Sequence, residues 1–286
     1  MSQTLLLYLS GKNFAPFVPS QLTDCQKNRE SVIGVFLSAL RVPATTDKSS
    51  NFATETIITM KQKKFLALAF LGLLGLAESP AQNHTNDSLM EKLTLTTEWD
   101  KTFPQSDKVS HCKVTFCNRY GITLAADLYK PKGATGTLPA IAVSGPFGAV
   151  KEQASGLYAQ TLAERGFLTL AFDPSFTGES GGQPRSVASP DINTEDFSAA
   201  VDYLSTRDDV DPARIGILGI CGFGGFALNA AAMDTRVKAT VASTMYDICR
   251  NSANGYFDAN DNADVRYAMR QQLNAQRTED YRNGTS

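Results

Sequence analysis

The sequence predicts an α/β fold built on a mostly parallel twisted sheet with helices on both faces, and three observations predict it. A two-strand hairpin signal comes first, strand and helix patterns then alternate, and the runs at 138–144 and 167–172 are almost continuously apolar. Parallel strands joined by helical crossovers are buried on both faces, so they lose period-two alternation and read as apolar runs.

In order along the chain, 113–118 and 122–129 are rich in β-branched and apolar residues and are split by Arg119-Tyr120-Gly121, a hairpin turn. The strand at 138–144 follows. A helix over 155–165 is predicted by Leu157, Tyr158, Leu162 and Ala163, closed by Gly166. Another strand at 167–172 precedes a helix over 194–205, with Phe197, Val201 and Leu204 on one face and Thr194 as its cap. Asp211-Pro212 breaks the chain before a strand at 214–220, a helix at 225–233 and a sixth strand at 237–243. Beyond residue 250 the chain turns polar, and 264–282 reads as a solvated helix or the opening of a lid.

Not all of the 286 residues belong to this pattern. Met60-Lys-Gln-Lys-Lys opens a basic stretch, about thirteen apolar residues follow over 65–77, and Ser79 and Ala81 end it. This is the layout of an export signal over 60–81, and its apolar run is too short to cross a bilayer. The expected organisation is an over-extended reading frame or unstructured extension at 1–59, the signal at 60–81, and a lead-in at 82–111. A core at 112–249 and the start of a lid or helical segment at 250–286 complete it. The exported protein would be periplasmic or extracellular, with no stable membrane span once the signal is removed. A net charge of −2 gives no sign of a nucleic-acid or anionic-membrane partner, and none is expected. Export would permit disulfides among Cys112, Cys117, Cys221 and Cys249, but four cysteines allow three pairings. Cys112 and Cys117 resemble half a metal site without a second ligand pair, so neither a metal nor another cofactor is expected.

The chemistry falls in turns after strands, where open α/β sheets bind ligands. In Gly219-Ile-Cys221-Gly-Phe-Gly-Gly225 a buried strand meets a glycine cluster and then a helix. Such a sharp turn lifts one side chain above the sheet, and the helix N-terminus favours a thiolate there. Cys221 is the candidate nucleophile, with a buried structural thiol as the alternative. Two further segments are Ser144-Gly-Pro-Phe-Gly148 and Asp173-Pro-Ser-Phe-Thr-Gly-Glu-Ser180-Gly-Gly182.

Together these segments resemble the α/β-hydrolases of the dienelactone hydrolase and X-prolyl-peptidase-like group, over roughly residues 113–247. The elbow departs from G-x-[SC]-x-G, since Phe223 stands where the last glycine belongs, and reading back from Gly224-Gly225 points instead to position 222 or 223. The resemblance implies oxyanion donation from the amides of Phe147 and Gly222, and a structural role for the Asp173–Gly182 turn. It also implies an acid and then a histidine after the nucleophile. Asp247 is the weak candidate acid. Both histidines, His84 and His111, precede the predicted strands.

The expectation is therefore a secreted hydrolase of a carbon ester or related small-molecule acyl substrate, with six strands present and the last two missing. It would be incomplete or inactive as it stands, and the edge of the sixth strand would be open to self-association. A non-catalytic small-molecule-binding module on the same scaffold is the alternative. Recruitment of His111 and a thiol-based redox role are the remaining options. Oligomeric state is not legible.

Overall fold

The computed structural model describes residues 5–9, 40 and 91–285. The expected export signal at 60–81 and His84 lie outside them. Among the described residues, seven strands form one sheet: β1 (Leu5–Leu9), β2 (Val109–Cys117), β3 (Thr123–Pro131), β4 (Leu138–Ser144), β5 (Leu168–Phe172), β6 (Val210–Ile220) and β7 (Val237–Ser243). Five helices accompany it: α1 (Ala154–Ala163), α2 (Pro190–Ser205), α3 (Gly222–Met233), α4 (Ile248–Asn254) and α5 (Ala263–Asn283). The strand order is β1-β7-β6-β4-β5-β3-β2.

β4, β5, β6 and β7 are mutually parallel, and β3 runs antiparallel to β5. The bounds of β4 and β7 match the predicted ones, because strands buried on both faces are mostly apolar, Lys238 being the one exposed residue of β7. β6 is longer than predicted. It starts at Val210, and the register jumps from the Leu138–Val210 pair to the Ala140–Ile215 pair. Residues 211–214 bulge out between these pairs, which is how Pro212, with no N–H to donate, is tolerated in a strand.

β2 also begins early, at Val109, so His111 lies inside a strand and not ahead of it. The cause is chemical. His111 and Lys113 share a strand face that meets buried carboxylates, so this stretch shows no apolar alternation. Between β2 and β3 the side-chain oxygen of Asn118 accepts from the N–H groups of Tyr120 and Ile122, each at 3.0 Å. Gly121 supplies the positive φ, 78°, that closes the turn.

Helices cover both faces. α2 and α3 pack over a core that includes Phe197, Val201 and Leu204, the three residues whose spacing predicted the helix. Phe197 meets Phe172 edge to face at 5.2 Å between centroids. α1 packs on the opposite face with Phe103, Phe167 and Leu162. The start of α2 differs from the prediction. Ser189 caps it by accepting from Ile192 N–H, and Pro190 opens its first turn. Thr194 is a buried residue inside the helix, accepting from Asn229 Nδ2 at 3.2 Å.

The predicted open edge of β7 is covered. β1 pairs with it antiparallel, from Leu5 opposite Ser243 to Leu9 opposite Ala239. A free strand edge is a row of unpaired N–H and C=O groups, and here a short apolar segment from 1–59, read as unstructured, satisfies it. At the other end of the chain, α4 and α5 contain no buried residue. The polar 264–282 segment is a solvated helix.

Candidate active site

The sheet order places the ends of β7, β6, β4 and β5 side by side, so the loops that follow them share one rim. At its centre β6 turns into α3 within one residue. Cys221 is that residue, with φ 58° and ψ −127°, a backbone conformation rare for any side chain but glycine. Its neighbours hold it there. Cys221 N–H donates to the Ser243 carbonyl at 2.8 Å, and the Cys221 carbonyl accepts from Gly224 and Tyr246 at 3.0 and 3.3 Å. A Cβ on Gly219 would lie 2.2 Å from the Phe223 carbonyl oxygen, so only glycine lets the turn close.

Phe223, where the elbow pattern expects glycine, is buried in the core. It packs edge to face against Phe226 at 5.2 Å and faces Phe147 at 5.8 Å. The residue displayed at the turn is Cys221, half-buried as a free thiol.

The loop after β4 starts in contact with this turn. A Cβ on Gly145, whose φ is 95°, would sit 2.5 Å from the Ile220 carbonyl oxygen. The loop then carries Phe147 over Gly222, where a Cβ would lie 3.0 Å from the Phe147 ring. The structure thus brings Phe147, Cys221 and Gly222 together. Gly222 is the first residue of α3, where N–H groups have no intrahelical partner.

Asp247 lies after β7 as predicted, but its carboxylate caps α4, accepting from Arg250 N–H at 2.9 Å. Beside it, a cleft of about 370 Å³ is lined by Met245, Tyr246, Arg250, Tyr256 and Phe257 among others. His111 is far away. It sits on β2, four strands from β6 in the sheet, roughly 19 Å at the usual strand spacing. There its Nε2 meets Asp127 at 2.8 Å. Cys112 and Cys117 are both on β2 at positions of opposite parity, so they face opposite sides and do not form a metal site. All four described cysteines are free thiols.

What the sequence reading missed is a buried charge cluster behind the rim. Lys151, fully buried, places its ammonium 2.6 Å from Glu152, 2.8 Å from Asp173 and 2.6 Å from Glu179. The three carboxylates have oxygens within 4.8 Å of one another, a spacing that would suit a metal ion. The lysine ammonium already fills that position, so the donor set does not fit a metal. Burial opposes the charge on Lys151, but Asp173 and the other two carboxylates more than offset it and hold the ammonium above the usual lysine range. Burial likewise opposes the charge on Glu179, yet hydrogen bonds from Lys113 and Lys151 bring it down to about 2. Burial pushes Asp173 up against the pull of Lys151. The geometry is built for its charged form, since Asp173 accepts from the Lys151 ammonium and from the N–H groups of Lys151 and Glu179.

Ser180, two residues past Gly178, is buried. It donates to the Asp173 carbonyl at 2.7 Å and accepts from Ala125 N–H at 2.9 Å, so it orders the loop, as the resemblance implied. No local pattern could have flagged Lys151, because two of its three carboxylate partners, Asp173 and Glu179, lie 22 and 28 residues away.

Comparison with known proteins agrees with this fold. Residues 120–285 match the family described as X-Pro dipeptidyl-peptidase (S15 family). The uncharacterized protein PA2218 of Pseudomonas aeruginosa is 62% identical over 226 residues, covering 77% of this chain and 60% of that protein. Its crystal structure superposes with a TM-score of 0.66 over 68% of this chain and 61% of that one. The uncharacterized protein YcjY of Escherichia coli is 46% identical over half of this chain and 48% of its own length. The thiohydrolase aneE of Aspergillus aculeatus is 33% identical over 48% of this chain and 42% of its own. The chain thus spans about two-fifths to three-fifths of the length of these relatives. With its parallel sheet, strand-to-helix turn at Cys221 and family match over 120–285, the chain belongs to the X-Pro dipeptidyl-peptidase (S15) family of α/β-hydrolases.

Proposed function

We propose that this chain carries the nucleophile and oxyanion donors of an acyl hydrolase acting on a small-molecule carbon ester or thioester, with Cys221 as the nucleophile. The observation that carries the proposal is the backbone of Cys221, strained at φ 58° between a buried strand and a helix N-terminus. A structural thiol has no need of such a conformation, which costs about 1–3 kcal/mol. The Cys221 thiolate attacks the acyl carbon, and the carbonyl oxygen becomes an oxyanion facing the Phe147 and Gly222 amides. Collapse of that intermediate expels the alkoxide or thiolate and leaves the acyl group on Cys221 Sγ. Water then hydrolyses this thioester, returning the thiol and releasing the acid. Acylation by a thiolate requires no base to remove its proton. The similarity to a thiohydrolase supports a thioester among the substrates. Asp247, whose carboxylate caps α4, takes no step in this mechanism.

We further propose that 60–81 is an export signal, which would make the protein periplasmic or extracellular. N-terminal sequencing of the protein recovered from a bacterial periplasm should begin near Gln82. Recovery from the cytoplasm with residues 60–81 intact would refute it.

The direct test of the catalytic reading uses a p-nitrophenyl ester. Nitrophenolate release with an acyl adduct mapped to Cys221 is expected from the parent, and Cys221→Ala should abolish both. If Cys221→Ala releases nitrophenolate at the parental rate, the thiol is structural. Tight binding of an acid or ester without turnover would favour a binding module in the cleft beside Tyr246.

A further inference from the structure

We propose that Lys151 is a positioning residue for the oxyanion loop, acting through Asp173 and Glu179 without touching substrate. The inference rests on the reading of Cys221 as nucleophile and of the Phe147 amide as an oxyanion donor.

The loop is fastened at both ends. At its start, Gly145 lies against the elbow itself, with the Ile220 carbonyl oxygen and the Phe223 Cβ only 2.5 and 2.8 Å from where a Cβ would be. At its end, Asp173 grips Lys151 twice, taking the backbone N–H on Oδ1 at 2.7 Å and the ammonium on Oδ2 at 2.8 Å. Between these points run residues 146–150, folded by a turn in which Ala149 N–H donates to the Pro146 carbonyl at 3.1 Å. Phe147 sits in that span. With so little chain between two anchors, the direction of its amide is set by where Lys151 is held.

The ammonium is what permits the second anchor. Without it, Asp173, Glu152 and Glu179 would leave like charges within 4.8 Å of one another, with Lys101 and Lys113 reaching Glu152, and Lys113 reaching Glu179, but neither pairing with Asp173. Those carboxylates would repel or take up protons. Either way the Asp173 loop and the Phe147 loop part. Gly178 shows how closely the Asp173 turn wraps its own carboxylate, since a Cβ there would lie 2.2 Å from Asp173 Oδ2. Lys151 is not itself the base, because its ammonium is held in the charged form by the three carboxylates around it.

The test compares two reactions of the full chain, both read at Cys221 by peptide mass mapping. Acylation by p-nitrophenyl acetate forms a thioester with loss of nitrophenolate and passes through an oxyanion. Alkylation by iodoacetamide forms a thioether with loss of iodide and passes through none. Lys151→Met should slow acylation about 10²-fold, the scale of a misplaced or missing oxyanion donor, and leave alkylation unchanged. Glu179→Gln should show the same split at smaller size, and it stands in for Lys151→Met should that variant fail to fold. Parental acylation in the variants overturns the inference. So does an equal loss of both reactions, which marks a collapsed elbow and not a displaced loop. A parent that is alkylated but never acylated refutes the nucleophile reading itself, and the positioning role falls with it.

Discussion

Asp173 and Asp196 are both fully buried, and they hold the two sides of the same loop, yet they are stabilised by opposite means. Asp173 faces a lysine ammonium at 2.8 Å and, through it, two further carboxylates. Asp196 has only neutral donors: Asn118 Nδ2, Ser175 N–H, Ser175 Oγ and Asn193 Nδ2, at 2.7–3.1 Å. The first cluster ties the loop to the rim beside Cys221, while the second ties it to α2 and the β2–β3 turn. A charge pair fixes geometry strongly but fails badly if one partner is lost. A shell of dipoles is more tolerant of losing one donor, and burial pushes Asp196, like Asp173, up from its ordinary value. The side nearest Cys221 carries the stiffer device.

The largest expected effect breaks the charged cluster. Lys151→Met strands Asp173 in the interior, and loss of one partner of a buried ion pair costs about 3–5 kcal/mol. Urea unfolding of the variant beside the parent measures this directly. A loss below about 1 kcal/mol would mean that water or protonation compensates Asp173, and the contrast with Asp196 would vanish. The corresponding change on the other side, Asp196→Asn, turns one acceptor into a donor facing Ser175 or Asn193. It should cost about 1–3 kcal/mol, the cost of an unsatisfied buried polar group, and so less than Lys151→Met. A reversed ranking would show that the dipole shell, not the ion pair, is the main fastening.

A third change asks what the two fastenings restrain. Cys221→Gly removes a side chain from a conformation that glycine adopts freely, so stability should rise, by up to about 1 kcal/mol after the entropy cost of glycine. The expected rise in melting temperature would accompany complete loss of acylation. An unchanged or lower melting temperature would show that the Cys221 side chain contributes packing that outweighs its strain.

These residues also mark where the sequence is readable. β4 and β7 were legible to the residue because burial on both faces keeps them mostly apolar, with Lys238 the one exposed residue of β7. Cys221 was legible because its glycine neighbours can be explained only by a tight turn, although Phe223 in place of glycine left the adjacent positions open. The structure puts Cys221 at the turn and sends Phe223 into the core. Three things were not legible. His111 and Lys113 hid the start of β2, since a strand facing buried carboxylates looks like a polar loop. The covered edge of β7 depends on Leu5–Leu9, more than 200 residues away in sequence, and nothing in five apolar residues names its partner. Lys151 and its carboxylates are likewise scattered over Glu152, Asp173 and Glu179, and only the meeting of β4 and β5 brings them together.

The response to acid tests the comparison by sign. Glu179 has an ordinary value of 4.5 and is held at about 2 by Lys113 and Lys151 against the opposing effect of burial. A carboxylate depressed by folding contributes stability that is fully present above its unfolded value. That contribution fades as the pH falls from 4.5 through about 2. Asp196 is shifted the other way by burial, so its folded form binds a proton more readily than its unfolded form. Its penalty is present at neutral pH and is relieved on acidification. Glu179→Gln should therefore lie below the parent in stability at pH 6 and approach it as the pH falls toward 3. Asp196→Asn should lie below the parent at both values, with a gap that does not close as the Glu179 gap does. Urea midpoints measured across that range decide the matter. Parallel curves for both variants would mean that neither carboxylate titrates differently on folding, and that the two sides of the loop are held by the same physics after all.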